Sequence, residues 1–234
     1  MKRTFTWEKQ ETGTLVEYCD WEPYYHRILK AFQYDRSEDE TSALLLDTLL
    51  SRHRLRPEHI HDMIYGMSVY ILGAHERIEE DLNDMIDRNI AGIFIAADGA
   101  SSAMREAGLR PDLILTDLDG KEEDLLYWNR KGVPLIVHAH GDNSERIRHI
   151  APRITHSLAT TQARPFGNVF NFGGFTDGDR CVFLADHFAA KEIILCGFDY
   201  SAVGKYSFST DPETKLRKLK WAKQLISEFE VEYY

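Results

Sequence analysis

The segment Ile93–Gly120 restricts the possible folds of this chain more than any other stretch of its sequence. It begins with the apolar run Ile93–Ala97, which has the length and composition of a strand buried on both faces. The serine pair Ser101–Ser102 predicts the start of a short helix, which Gly108 is placed to end. A second apolar run, Leu113–Leu115, follows. The pattern predicts a strand, a helix and a second strand parallel to the first.

Acidic residues follow both predicted strands at the point where each strand ends. Asp98 comes directly after the first strand, and Asp117 and Asp119 come directly after the second. Ligands of open parallel sheets bind beyond the carboxyl ends of the strands, so we expect these carboxylates to converge, with Asp117 and Asp119 on the same side. Clustered carboxylates suit Mg²⁺. A simple polar turn over Asp117–Gly120 is the alternative, but the matching Asp98–Gly99 pair favours a metal site.

The rest of the chain alternates strands and helices, which predicts an α/β fold with three layers around a mostly parallel sheet. Every further predicted strand also ends in polar or glycine-containing sequence. These exits are Gly73 after Met67–Leu72, His138–Asn143 after Val133–Val137, Thr160–Gln162 after Ile154–Ala159, Gly173–Asp179 after Val169–Phe172, and Gly197–Tyr200 after Ile193–Cys196. This concentration of reactive side chains on one predicted edge indicates an enzyme.

The glycine-rich exit carries candidate phosphate ligands. Gly173 and Gly174 allow backbone amides to approach a ligand closely. Thr176 is placed to cap the predicted helix Arg180–Ala190. Arg180 has the forked donors that bind phosphate oxygens in pairs, so we interpret it as a phosphate ligand.

Two histidines mark another exit. His138 and His140 are separated by one residue and precede Asp142. Histidine pairs of this kind also occur in transition-metal sites. Because no cysteine or third histidine lies nearby in the sequence, we favour contact with a substrate or a phosphate.

The two ends of the chain differ from the middle. Residues 1–66 predict a small helical subdomain, with a capping box formed by Ser37 and Glu40 before a helix over Thr41–Leu50, closed by Pro57. Residues 67–234 predict the α/β catalytic domain. Its last helix, Pro212–Phe229, is basic in its first half, which predicts a solvated face, with a phosphate-facing lysine as the alternative. The basic residues are Lys215, Arg217, Lys218 and Lys220.

The charge balance restricts the partners. The 234 residues carry a formal net charge of −10, which argues against nucleic acid as the ligand because duplex binders present a basic face. No apolar run is long enough to span a membrane, and the charged start is unlike a signal peptide. The three cysteines lack metal or CxxC spacing and predict reduced core residues of a cytoplasmic protein: Cys19, Cys181 and Cys196.

Seven short motifs, in order and spacing, resemble the archaeal 6-hydroxymethyl-7,8-dihydropterin diphosphokinase family (MptE-like). They are AADGA, RPDLILTDLDG, HAHGDN, TTQ, FGGFTDGDR, CGFD and KLRKLKWA, and they cover Val69–Leu225. The first two motifs are also similar to thiamin diphosphokinases. One loop departs from the family: Gly73–Ile78 lacks the second glycine and the proline that members usually carry after the first strand.

The resemblance implies an ATP-dependent diphosphotransferase. Such an enzyme transfers diphosphate from ATP to the hydroxymethyl group of a pterin with Mg²⁺ and releases AMP, in folate or methanopterin synthesis. Together with the polar residues at the strand ends, the resemblance implies the following roles for individual residues. The metal ligands are Asp98, Asp117 and Asp119; the residues of the transfer step are Asp117, Asp119, Asp142 and Arg180; and the residues that bind ATP or pterin are Gly73, Asp98, Gly99, His138, His140, Asn143, Thr161, Gln162, Gly173, Gly174, Thr176, Asp177, Asp179 and Lys205.

Other functions stay open at the level of the sequence. One is a diphosphokinase for another heterocycle such as thiamin, and another is a relative that transfers a sugar from a nucleotide sugar. A nucleotide or pterin sensor without catalysis is the third, favoured by the altered Gly73–Ile78 loop. The clustered carboxylates argue against a sensor, because they repel one another without a metal. The sequence does not distinguish a monomer from a homo-oligomer.

Overall fold

A computed structural model describes residues 18–50, 54–208 and 211–234. Its centre is an eight-stranded parallel sheet with the strand order β6-β5-β4-β3-β2-β1-β7-β8. The strands are β1 (Ser68–Leu72), β2 (Ile93–Ala97), β3 (Leu113–Thr116), β4 (Leu135–Ala139), β5 (Ser157–Thr161), β6 (Val169–Phe170), β7 (Glu192–Cys196) and β8 (Glu232–Tyr233). All carboxyl ends therefore meet at one edge of the sheet.

Helices precede and connect the strands. They are α1 (Tyr18–Phe32), α2 (Arg36–Leu49), α3 (Pro57–Ile64), α4 (Ile78–Asp87), α5 (Ala100–Ala107), α6 (Glu122–Arg130), α7 (Ser144–Ile150), α8 (Asp177–His187) and α9 (Pro212–Ile226). Short 3₁₀ turns, Gly141–Asn143 and Ala151–Arg153, flank α7. Among the described residues, no helix is long and apolar enough to cross a membrane.

Separate hydrophobic cores lie on the two faces of the sheet. On one face, Leu46 of α2, Leu82 of α4 and Met104 of α5 pack over the strands with residues of α6 and α7. On the other face, Ile60 of α3 and Val182 of α8 pack over the opposite side chains of the same strands. Every residue of β3 and β4 is buried, and all of them except Thr116 and His138 are apolar, as expected for strands covered on both faces. The predicted three-layer α/β fold is confirmed.

The N-terminal helices are part of this packing. Trp21, Tyr25 and Ile28 of α1 are buried against Phe183 of α8 and Leu225 of α9. Helix α2 lies over the ends of β4 and β5. These aromatic side chains belong to a core, as their helical spacing indicates. The division into residues 1–66 and 67–234 stays a prediction.

Several predicted element boundaries are wrong in the N-terminal segment. Helix α2 begins at Arg36 because Asp35 caps it, accepting a hydrogen bond from the amide of Ser37 at 2.9 Å. The predicted capping box before Thr41 therefore lies inside the helix. Pro57 begins α3 instead of closing the segment, which fits the preference of proline for the first helical turn. The prediction that all three cysteines are core residues is wrong for Cys19, which is exposed, whereas Cys181 and Cys196 are buried as predicted.

Boundaries in the α/β region differ by fewer residues. Helix α5 begins at Ala100, so the pair Ser101–Ser102 lies inside the helix and is buried there, whereas Gly108 ends the helix as predicted, with a φ of 75°. Helix α8 begins at Asp177, before the predicted Arg180. Strand β5 extends to Thr161, so two residues assigned to its exit lie within the strand.

Candidate active site

Four carboxylates converge at the carboxyl edge of the sheet. Asp98 follows β2, Asp117 and Asp119 follow β3, and Asp177 begins α8. One oxygen from each lies within 4.8 Å of those from the other three. We refer to these four side chains as the carboxylate cluster. Three of its members come from a single βαβ unit and its exit loop, which the sequence predicted, whereas Asp177 arrives from a later part of the chain.

A tight turn, not a continued strand, orients the two acids after β3. Leu118 adopts the left-handed conformation with a φ of 68°, and its amide donates to Thr116 Oγ1 at 2.8 Å. The hydroxyl of Thr116 also donates to Asp98 Oδ1. Gly120 completes the turn because a Cβ there would lie 2.7 Å from Asp98 Oδ2. The predicted common orientation of Asp117 and Asp119 is therefore produced by this turn, which also positions Asp98.

The buried carboxylates of the cluster repel one another. Burial and the charges of the neighbouring acids raise the pKa of Asp98 and Asp177 well above the usual range. The same causes raise the pKa of Asp119. Burial also acts on Asp117, but the hydrogen bond and charge of His140 outweigh it and lower its pKa. Carboxylates this close repel one another unless a cation or protons neutralise them.

Residues after β4 hold the exits of β3 and β4 together. His140 Nε2 lies 3.2 Å from Asp117 Oδ2. Asn143 donates from Nδ2 to the carbonyl oxygens of Asp117 at 2.8 Å and of His138 at 2.7 Å. His138 itself is buried within β4, where its Nδ1 lies 3.1 Å from Thr160 Oγ1 and burial lowers its pKa. His140 and Asn143 thus position the cluster, while the ring of His138 lies in the core behind it.

Three cations face the cluster. Arg180 Nη1 donates to Asp177 Oδ1 at 3.0 Å and Nη2 donates to Gln162 Oε1 at 3.3 Å. Its Nε is buried and has no hydrogen-bond partner among the described residues. Lys215 and Lys218 of α9 line the adjoining space, and neither forms an ion pair with a described carboxylate. Arg180 is therefore paired with one acid of the cluster, whereas the positive charges of Lys215 and Lys218 are not paired with a described carboxylate.

Two clefts meet at the carboxylate cluster and share Asp119, Thr176, Asp177 and Lys215. The first, of about 710 Å³ including its open mouth, we name the charged cleft. Its other lining residues include Tyr34, Glu38, Asp117, His140, Asp142, Phe175, Arg180 and Lys218. The second, of about 700 Å³, we name the aromatic cleft. Its other lining residues include Gly73, His75, Asp98, Gly99, Phe198, Asp199, Tyr200, Val203, Tyr206 and Leu219. The carboxylate cluster therefore lies where the two clefts join.

Comparison with known proteins shows the family of the chain. A family model described as "6-hydroxymethylpterin diphosphokinase MptE-like" matches residues 48–205. The chain belongs to this family. It is 39% identical over 225 residues to a protein of Methanocaldococcus jannaschii, covering 89% of this chain and 93% of that one. It is 43% identical over 223 residues to a protein of Pyrococcus furiosus, covering 90% and 93%. Both relatives are named 6-hydroxymethyl-7,8-dihydropterin pyrophosphokinase.

A solved structure that aligns with part of the chain is more distant. The MAf glycosyltransferase from Magnetospirillum magneticum AMB-1 aligns with a TM-score of 0.44 and 16% sequence identity. The alignment covers 76% of this chain and 29% of the glycosyltransferase.

Most of the predicted site residues of this MptE-like chain lie at the two clefts. Beside the cluster itself, they are Gly73, Gly99, His140, Asp142, Gln162, Thr176 and Arg180. Gly173 and Gly174 adopt positive φ values of 83° and 89° and pack against Phe183 and Arg180, so they shape the loop before α8. Thr161 lies in the core, where its hydroxyl accepts from the amide of Ala163 at 3.2 Å.

Two further predicted residues, Asp179 and Lys205, also line neither cleft. Asp179 is fully buried and caps α8, accepting hydrogen bonds from the amides of Phe175 at 2.5 Å and Thr176 at 2.8 Å. Lys205 binds Glu79 through its amine at 2.6 Å and is not among the residues that line either cleft. The structure therefore brings Asp177, and not Asp179, to the carboxylate cluster.

The first half of the last helix was predicted to present a solvated basic face, with a phosphate-facing lysine as the alternative. Arg217 and Lys220 are exposed as predicted, whereas Lys215 and Lys218 are half-buried and line the charged cleft, which fits the alternative. Residues three apart share one face of a helix, and here that face overlooks the cluster. Leu219 and Ala222, which continue the face, line the aromatic cleft. In the sequence, the apolar residues Leu219 and Ala222 beside the two lysines indicate that this face of the helix packs against the protein.

Proposed function

We propose that this protein transfers diphosphate from ATP to the hydroxymethyl group of 6-hydroxymethyl-7,8-dihydropterin, with Mg²⁺, and releases AMP. Family membership and the names of the relatives support this reaction. The observation that carries it is the position of the carboxylate cluster between two clefts. A two-substrate transfer needs such a junction, where acceptor and donor meet at one charged centre.

The donor set fits a hard divalent cation. All four groups of the cluster are carboxylates, and the magnesium ion prefers oxygen ligands and shares them with substrate phosphates. The raised pKa values of Asp98, Asp119 and Asp177 indicate a site that gains from added positive charge. When bound, the ion would neutralise charge on the triphosphate. Asp98, Asp117, Asp119 and Asp177 would hold it.

The protein side chains supply alignment and charge, which diphosphoryl transfer chiefly requires. The pterin hydroxyl oxygen forms a bond to the β-phosphorus, while the bond from that phosphorus to the oxygen bridging the α-phosphate breaks, so AMP leaves. The hydroxyl proton is released. Arg180, Lys215 and Lys218 lie where they can bind the β- and γ-phosphates as negative charge spreads over them. Because ATP and reduced pterin are the substrates, we place the activity in the cytoplasm.

An acceptor panel tests this function. Purified protein is incubated with ATP, Mg²⁺ and one acceptor at a time, and AMP is measured. We expect AMP with 6-hydroxymethyl-7,8-dihydropterin, and only background with thiamin or with no acceptor. AMP with thiamin but not with the pterin would assign the site to a different reaction. So would release of the sugar when a nucleotide sugar replaces ATP. Absence of turnover with every acceptor, despite binding of ATP, would indicate a sensor.

A further inference from the structure

The two clefts differ in the positive charge that they offer to a ligand. The charged cleft contains Arg180, with an unpartnered and buried Nε, together with Lys215 and Lys218. Among the described residues that line the aromatic cleft, Lys215 at the shared border is the single lysine or arginine. Seven acids also line the charged cleft, so it suits a triphosphate that is bound together with a divalent cation, and its three cations make it the better match of the two clefts.

The loop after β1 borders the aromatic cleft but is poorly suited to phosphate. Two of its amides are already bonded to the exit of β7: Gly73 N donates to the Cys196 carbonyl at 2.8 Å and His75 N to the Gly197 carbonyl at 3.2 Å. Helix α4, which follows, has three acids in its first turn, and Asp81 among them accepts from Gly197 N at 2.7 Å. In phosphate-binding proteins, free backbone amides at the start of a helix without acidic neighbours bind the phosphate. The aromatic cleft therefore suits an uncharged ligand.

The walls of the aromatic cleft suit a flat ring. Phe198, Tyr200 and Tyr206 line it, with Leu219 and Val203 between them. Aromatic and aliphatic walls of this kind bind heterocycles through their faces, and a few polar groups fix the orientation.

Asp199 supplies the polar group on this wall. Its Oδ1 accepts from the amide of Ser201 at 2.7 Å and from its hydroxyl at 2.6 Å. Its Oδ2 lies 3.8 Å from His75 Nε2, beyond hydrogen-bond distance, and the side chain is 37% exposed. Hydrogen bonds from Ser201 lower the pKa of Asp199, with smaller contributions from the charge of His75 and from the amide of Ala202. Because both Ser201 donors bind Oδ1, Oδ2 is open to a further donor.

We propose that the aromatic cleft binds the pterin ring, with Asp199 Oδ2 accepting a hydrogen bond from its 2-amino group, and that the charged cleft binds the triphosphate of ATP. This assignment rests on the proposed function. The 2-amino group is a donor on the edge of the pterin ring, and a hydrogen bond to a charged oxygen is stronger than one to a neutral oxygen. With the ligands on opposite sides of the cluster, the pterin hydroxyl approaches the β-phosphorus from the aromatic cleft and AMP departs into the charged cleft.

Equilibrium binding to the full-length protein tests the assignment without turnover. The probes are 6-hydroxymethylpterin, followed by its fluorescence, and α,β-methylene-ATP with Mg²⁺, followed by calorimetry. The variants are Asp199→Asn, which keeps Oδ1 for the Ser201 turn, and Lys218→Met, which keeps the apolar stem. Glu123→Gln on the exposed face of α6 is the matched control. A pteridine that lacks the 2-amino group probes the same contact from the side of the ligand.

We expect Asp199→Asn to weaken pterin binding about tenfold or more, as loss of a charged hydrogen bond does, and to leave the ATP analogue unchanged. Unchanged nucleotide binding also verifies that the variant folds. Lys218→Met should weaken only the ATP analogue. The pteridine without the amino group should bind the original protein more weakly, and Asp199→Asn should lower its binding less than that of the pterin.

The opposite pattern, with Asp199→Asn weakening the nucleotide and sparing the pterin, would reverse the assignment. Unchanged binding of both probes by Asp199→Asn would also overturn it, as would failure of the original protein to bind pterin. Failure of the proposed function is distinguishable: both probes would bind with the expected pattern, but ATP and the dihydropterin would yield no AMP.

Discussion

Asp98 combines backbone strain with an unfavourable charge. Its φ of 41° is in the left-handed region, which few non-glycine residues adopt, and Asn and Asp tolerate it best. Its carboxylate is buried and next to three other acids. Without a cation the folded chain holds this charge at a cost, because the unfolded chain exposes it to water. Strain of this kind is concentrated at functional sites.

Replacing Asp98 by Asn separates stability from metal binding. Asn keeps the size, the backbone conformation and an oxygen to accept from Thr116, but it removes one negative charge. In EDTA, we expect the free energy of unfolding to rise by about 1 kcal/mol or more, because a buried charge among like charges is removed. Excess Mg²⁺ should stabilise the original protein clearly and the variant much less.

Thermal unfolding with and without Mg²⁺ measures both effects. Glu123→Gln removes an exposed charge and should leave both quantities unchanged. If Asp98→Asn were less stable in EDTA and responded to Mg²⁺ like the original protein, Asp98 would be a structural residue and not a metal ligand.

His187 is predicted to make the fold sensitive to acid. Burial and the neighbouring His61 lower its pKa to about 4, and its ring packs 4.6 Å from that of Phe188. Because the folded pKa lies below the unfolded value of about 6.5, the neutral ring favours folding. The resulting gain in the free energy of unfolding is complete above about pH 6.5 and is lost as the pH falls towards 4. The total loss is up to about 3 kcal/mol.

The variant His187→Gln isolates this contribution from carboxylates that titrate in the same range. Chemical denaturation at about pH 7 and at about pH 4.5, on either side of the unfolded histidine pKa, gives the loss of unfolding free energy for each protein. The original protein should lose more than the variant between these two conditions. Equal losses would show that His187 does not cause the acid sensitivity.

At the scale of elements, helices α1 and α2 reach the active site through Asp39. This buried carboxylate accepts from Tyr25 of α1 at 2.6 Å, from Gln162 Nε2 after β5 at 2.9 Å, and from the amide of Gly141 after β4 at 2.7 Å. Because Nε2 of Gln162 faces Asp39, its Oε1 faces Arg180, which binds Asp177 of the cluster. Asp39 is thus a positioning residue that orients the guanidinium through one amide.

The orientation of that amide predicts the effect of Asp39→Asn. In the variant, the NH₂ group of the new side chain at position 39 faces the Nε2 donor of Gln162, and two donors cannot form a hydrogen bond. Either the Gln162 amide turns and presents Nε2 to Arg180, or the contact between positions 39 and 162 is lost. We expect kcat to fall by about tenfold or more from misplacement of the guanidinium, with a smaller change in the KM of the pterin. Adding Gln162→Glu should restore kcat, because a carboxylate at position 162 accepts both from the new amide at position 39 and from Arg180, and the total charge is conserved.

The matched control is Tyr25→Phe, which removes one hydrogen bond to Asp39 and leaves Gln162 in place. It should lower the free energy of unfolding by about 1 kcal/mol with kcat nearly unchanged. A double variant no more active than Asp39→Asn alone would contradict the positioning role, because general damage to the core would not be repaired by a second substitution.

The elements around β2 and β3 were predictable, whereas this connection was not. Apolar runs ending in Asp98 and Asp117 identify strands and their exits from local pattern alone. Nothing local distinguishes the buried Asp39 from the exposed acids beside it on α2, because its burial depends on residues distant in the sequence. A phosphate-facing lysine on α9 was only the alternative prediction, because the surface that covers Lys215 and Lys218 comes from the sheet edge, which is distant in the sequence.

For the whole molecule, the order of the strands determines which acids meet. Strands β1 to β6 follow one another towards one side of the sheet, and β7 returns to the other side of β1. The connection to β7 passes through α8, which lies against β1, β2 and β3 and so brings Asp177 to the exits of β2 and β3. Alternation of strands and helices predicts a parallel sheet, but the return of β7 requires long-range packing that no local pattern records.

The proposed reaction requires that the carboxylate cluster binds Mg²⁺. The most direct measurement is the rate of AMP release from ATP and 6-hydroxymethyl-7,8-dihydropterin across a Mg²⁺ titration. It is made on the original protein, Asp117→Asn and Asp119→Asn. Asn keeps the shape of each side chain and removes its charge. Circular dichroism and unfolding curves verify that both variants fold.

We expect each substitution to lower the rate by about a hundredfold, corresponding to ~3 kcal/mol of lost transition-state stabilisation, and to shift the activation to higher Mg²⁺ concentration. If Asp117 and Asp119 only form an acidic turn, turnover stays nearly unchanged and stability rises slightly as repulsion is relieved. A rate and a Mg²⁺ dependence like those of the original protein in both variants would contradict the metal role of the cluster.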